Sequence, residues 1–104
     1  MTAPTEESTT LTAFERAVVA AVAGTTPLAE VLRAHAAHAT VVRRERDDAA
    51  HTTYVCVPAD STVIAPGELV LGERVEVDGR AAYAEVVVHH GWLDSLVVME
   101  ERTA

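Results

Sequence analysis

The stretch ELVLGERVEVDGRAAYAEVVVHHGWLDSLVVME, Glu68 to Glu100, decides how this chain folds. Valine, leucine and alanine recur in it at period two, and two glycine-containing pairs, Asp78-Gly79 and His90-Gly91, interrupt the alternation. Asp-Gly is a favoured two-residue hairpin turn because both central residues need positive φ, and His-Gly is a weaker form of the same signal. Three strands follow, at Glu68–Val77, Ala81–His89 and Trp92–Glu100.

The turns set registers. With Val77 paired to Arg80, Val75 falls opposite Ala82, Leu71 opposite Val86 and Leu69 opposite Val88. With His89 paired to Trp92, Val88 falls opposite Leu93, Val86 opposite Ser95, Ala84 opposite Val97 and Ala82 opposite Met99. Both ladders use the same face of the middle strand, so Leu69, Leu71, Val75, Ala82, Ala84, Val86, Val88, Leu93, Val97 and Met99 should receive the helices, with Glu73 the misfit. The opposite face then carries Glu68, Val70, Gly72, Arg74, Tyr83, Glu85, Val87, His89, Trp92, Asp94, Leu96 and Val98, more apolar and aromatic than a purely solvated face.

Upstream, Thr12-Ala13-Phe14-Glu15 has the spacing of a capping box. Phe14, Val18, Ala21 and Val22 then recur at helical intervals, and Gly24 supplies the stop after Ala23. Thr26-Pro27 repeats the start signal, with Thr as N-cap and Pro at the first helical position, and Leu28, Val31, Leu32, His35 and Ala36 form the stripe of a second helix fading near His38. Beyond it, β-branched residues predict strands at Ala39–Arg46 and Thr52–Val57, joined by Asp47-Asp48-Ala49-Ala50 and followed by a Pro58-to-Pro66 loop. Which face of these two strands meets the core is open: Val42, Val55 and Val57 compete with Val41, Tyr54 and Cys56. The expected fold is α+β, two N-terminal helices packed on one face of a mostly antiparallel, hairpin-connected sheet of about five strands. Residues 1–9 read as a solvated tail and 10–104 as a single domain.

At 104 residues and 49% hydrophobic, the chain can bury a core without metal or disulfide. Cys56 is the single cysteine, so no internal disulfide forms and a reducing, cytoplasmic setting is expected. No signal-peptide pattern and no membrane-length apolar run is present, so no membrane partner is expected. The formal charge of −8, with arginine the only basic type besides histidine, argues against nucleic acid.

Most residues capable of chemistry have plain structural explanations. His35 and His38 have a spacing that would place both imidazoles on one metal, but no third ligand is dictated; one histidine against the core and the other exposed accounts for the pair, and no metal or cofactor is assigned. Cys56, between two valines and without a basic neighbour, reads as a small buried hydrophobe. The charged run Arg43 to Asp48 reads as an edge strand resisting pairing. The mixed sheet face remains. Tyr83, Trp92, Arg74, Val87, Leu96 and Val70 are its candidate contact residues. His89, diagonal to Asp94, is the histidine best placed for acid or base work, with Asp94 and Glu85 as carboxylates.

Leu11-Thr12-Ala13-Phe14-Glu15-Arg16 and Gly91-Trp92-Leu93-Asp94-Ser95-Leu96 resemble the ends of small uncharacterised bacterial α+β proteins, which open on an L-T-x-F-E-R helix and close on a G-x-L-D-x-L strand. The resemblance implies the helix-then-meander order and no function. The expected role is a non-catalytic protein-interaction module, a homodimer or an inhibitor or immunity-type partner, acting through the open sheet face. The alternative is a small-molecule-binding protein or small enzyme with a pocket on that face, where Tyr83 and Trp92 would sandwich a ligand.

Overall fold

The computed structural model describes residues 9–24, 26–64 and 68–100, the side chain of the last excepted. Residues 1–8 of the expected tail and residues 65 and 66 of the expected loop lie outside them. The fold is α+β: helices α1 (Ala13–Ala23) and α2 (Ala29–His38) precede strands β1 (Thr40–Arg46), β2 (His51–Cys56), β3 (Glu68–Val77), β4 (Arg80–His89) and β5 (Trp92–Glu100). One antiparallel sheet has the order β1-β2-β5-β4-β3, and both helices pack on the same side of it. Among the described residues, no helix is long and apolar enough to cross a membrane.

Both hairpin turns form as the sequence dictates. Asp78 and Gly79 have φ of 54° and 76°, and His90 and Gly91 have 56° and 88°, so each pair turns with positive φ at both positions. The β3–β4 ladder runs without a break from Val77↔Arg80 to Glu68↔His89. The β4–β5 ladder starts as expected with His89↔Trp92 and Val88↔Leu93, but Val87 then pairs with Ser95 rather than Asp94. Asp94 is the extra residue of a β-bulge, and every side chain beyond it changes face.

This bulge corrects the second half of β5. Leu96 and Val98, expected on the open face, are 2% and 6% exposed in the core, opposite Val86 and Ala84. Val97 and Met99 take their places on the open side, opposite Glu85 and Tyr83. The physical reason is burial. A regular ladder would have put Val97 and Met99 under the helices and left leucine and valine outside; the bulge instead buries Leu96 and Val98 against the chain's other aliphatic side chains.

The β1–β2 hairpin joins the sheet through β2, which pairs with β5 from His51↔Val98 to Tyr54↔Ser95. Thr53, Val55 and Val57 thereby face the helices and are buried, while Tyr54 and Cys56 face away. Cys56 is exposed, which corrects the expectation of a buried thiol: its two valine neighbours claim the core side. In β1 a second irregularity falls between Val41 and Arg43 and leaves Val42 68% exposed. As an edge strand, bulged and rich in arginine, β1 is guarded against pairing.

The core gathers Leu11, Val18, Val19 and Val22 from the N-terminal segment, Leu32 and Ala36 from α2, and the inward residues of the sheet. The Thr12 capping box closes as expected. Thr26, however, is not the N-cap of α2: its carbonyl accepts from Ala29 N–H in a preceding turn, and the helix begins at Ala29 with no side-chain cap. Thr9, assigned to the tail, is tied to the fold by its carbonyl, which accepts from Val41 N–H at 2.7 Å.

Glu15 joins the helix layer to the β1–β2 hairpin. Its carboxylate accepts Thr12 N–H at 2.8 Å, Arg44 Nη2 at 2.8 Å, Arg44 Nε at 3.1 Å and the Thr53 hydroxyl at 3.0 Å. Burial alone would raise its pKa, but the hydrogen bonds from Arg44, Thr12 and Thr53 outweigh it and hold the carboxyl below its ordinary value.

Candidate functional site

Chaining the registers shows what the face away from the helices presents. One row across the sheet reads Val70, Val87, Ser95, Tyr54, Arg43; the next reads Gly72, Glu85, Val97, Thr52, Glu45; the third begins Arg74, Tyr83, Met99. The centre is apolar or uncharged, and these three rows balance Arg43 and Arg74 against Glu45 and Glu85, while Glu68 and Glu76 add negative charge along β3. Val70 is 55% exposed. The Tyr83 ring lies across Gly72, where a Cβ would collide with its hydroxyl, so the missing side chain is what lets the tyrosine lie flat on the sheet. Arg43 stacks over the Tyr54 ring at 4.7 Å and pairs with Glu45 at 3.2 Å.

The expected acid–base pair is rearranged. His89 Nδ1 lies 2.9 Å from Glu68 Oε2, its direct cross-strand neighbour, rather than being paired with Asp94, which the bulge removes from the ladder. Both side chains are well exposed, and the His90 ring stands 4.0 Å from that of His89. Trp92 does not form a sandwich with Tyr83. Half-buried against the core, it donates its indole N–H to Ser61 O at 3.1 Å.

That bond is one of three that pin the segment after β2. Ile64 N–H donates to Gly91 O at 2.8 Å, and His35 Nε2 lies 2.7 Å from Thr62 O. His35 Nδ1 accepts Leu93 N–H at 3.3 Å, so the other ring nitrogen carries the proton and donates to Thr62 O. His35 is 2% exposed with both nitrogens engaged, and His38 is exposed. The two therefore divide as their simplest explanation requires. Among the described residues, no group of three or more His, Cys, Asp or Glu is placed to hold a metal ion.

Between α2 and this pinned segment lies a cleft of about 620 Å³. Its helical wall is Glu30, Val31, Ala34, His35 and His38, one face of α2 at i, i+1, i+4, i+5 and i+8. Its other wall is Pro58, Asp60, Ser61 and Thr62, shaped by a turn in which Ser61 N–H donates to Pro58 O at 2.9 Å. Sequence reasoning missed this cleft because its two walls lie about two dozen residues apart and only the folded sheet opposes them. The Glu30-Val31-Ala34-His38 periodicity beside the core stripe was the available signal. No protein-family model, no curated protein and no solved structure matches this chain.

Proposed function

We propose that the protein is a non-catalytic interaction module whose open sheet face binds a second copy of itself. The carrying observation is the composition and size of that face. Five strands spaced at about 4.8 Å, each up to about 30 Å long, offer roughly 700 Å². A standard interface takes about 800 Å² from each partner. The charge distribution admits a second copy at this face: two chains of charge −8 repel, and they repel less where they meet through rows in which Arg43 and Arg74 balance Glu45 and Glu85. A twofold axis along the central strand β5 would set Val97 against its own counterpart and Tyr54 of one copy against Val87 of the other.

The test is light scattering after size exclusion, with analytical ultracentrifugation for the dissociation constant. Val97→Asp sets two carboxylates against each other on the twofold axis, at a half-buried position on the open side of the monomer. It should weaken dimerisation by about 100-fold or more, since a desolvated unpaired charge costs several kcal/mol, and leave the fold intact by circular dichroism. A monomer at millimolar concentration, or a dimer indifferent to Val97→Asp, would sink the proposal.

A further inference from the structure

We propose that the cleft between α2 and the Pro58–Thr62 segment binds a small organic cation, an amine carried on a short apolar body. The cleft is large enough for such a ligand, since small-molecule sites run from about 300 to 1,000 Å³, and this one is about 620 Å³. Its wall is held in place by the bonds from His35 to Thr62 and from Trp92 to Ser61, so the space does not depend on a chance loop conformation. The sign of the ligand follows from the lining. Glu30 on the first turn of α2 and Asp60 on the facing turn supply carboxylates, and among the described lining residues none is arginine, on a chain that has no lysine at all.

Val31, Ala34 and Pro58 give the ligand's hydrocarbon a surface to lie on. A bare metal ion is the wrong occupant, because the described residues hold no ligand set for one and His35 has committed both nitrogens. The cleft sits on the helix side of the sheet, so its occupancy and self-association through the open face can fail or succeed separately.

Trp92 is the single tryptophan, and its indole bond to the cleft wall makes its emission a reporter. The experiment titrates the full chain with 2-phenylethylamine, 2-phenylethanol and 3-phenylpropanoate, following Trp92 fluorescence and backbone amide shifts in parallel. The amine should bind saturably, at least tenfold tighter than the alcohol and with the carboxylate weakest. Glu30→Gln with Asp60→Asn, both at exposed positions, should reduce the amine to the affinity of the alcohol. The proposal is overturned if the alcohol or the carboxylate binds as tightly as the amine, or if the double variant keeps the amine's advantage. It is equally overturned if neither signal saturates below about 50 mM, near the weakest affinity a site of this kind should show.

Discussion

Replacing Glu15 with glutamine keeps the shape of the side chain and removes its charge at the junction of α1, β1 and β2. Four donors converge on that carboxylate: Thr12 N–H, two nitrogens of Arg44 and the Thr53 hydroxyl. Glutamine has one acceptor oxygen, so its NH₂ must face a nitrogen of Arg44 in either orientation, and in one of them the capping amide as well, donor against donor. Thr53 can reverse its hydroxyl and accept; the others cannot. A bond to a charged group contributes about 1.5–3 kcal/mol when buried. The Glu15 side chain is 14% exposed and that of Arg44 is 34%, so solvent screening cuts this substantially. About 2 kcal/mol is then expected for the variant, which for a domain of this size lowers the melting temperature by about 8–15 °C.

Urea denaturation measures the loss, and Arg44→Gln completes a double-mutant cycle in which the two losses should fall short of additive by about 1 kcal/mol or more. The pH dependence supplies a second check. Because the folded-state pKa lies below the unfolded value, the charge contributes fully above the unfolded carboxyl pKa near 4.5 and less as pH falls through the folded value. The stability gap between the parent and Glu15→Gln should therefore be constant near neutrality and close in acid. A loss under about 0.5 kcal/mol, strict additivity with Arg44→Gln, or a gap that widens in acid would each refute the network.

Two further outcomes are expected. His35→Leu strands the buried Leu93 N–H and releases Thr62 O, so it should cost about 2–4 kcal/mol and shift Trp92 emission to the red as the 58–64 segment loosens; an unshifted spectrum would show that His35 does not hold the segment. Deleting Asp94 removes the extra bulge residue yet keeps Leu96 opposite Val86, so the protein should fold with a loss of about 1 kcal/mol. Deleting Val97 instead turns Val98 outward and should cost about 2–3 kcal/mol more; equal tolerance of both deletions by thermal denaturation would contradict the bulge.

How much of this was legible beforehand depends on the range of the interaction. The capping box at Thr12 and Glu15, the β3–β4 register and the two turns all rest on residues close in sequence, and all stand as read. The candidate surface was legible only as far as the ladder stayed regular. Tyr83, Glu85, Val87, Val70 and Arg74 lie on the face expected of them, whereas Leu96 does not, and the partner of His89 is Glu68. Nothing local marks Asp94 as a bulge, because the strand could alternate regularly with either parity, and the choice falls to which aliphatic side chains reach the core.

By itself, then, the sequence determined the start and stop of α1, which the Thr12 capping box and Gly24 dictate, and the hairpins in which positive φ at Asp78-Gly79 and His90-Gly91 leaves little alternative. Tertiary structure decided the rest: that β2 docks on β5, that Val55 and Val57 rather than Cys56 turn inward, and that β5 changes face at Asp94. Local conformational preference costs little to satisfy and can be read residue by residue. Burial is shared among side chains far apart in the chain, so which of two equally regular patterns wins is settled only when all of them are packed together.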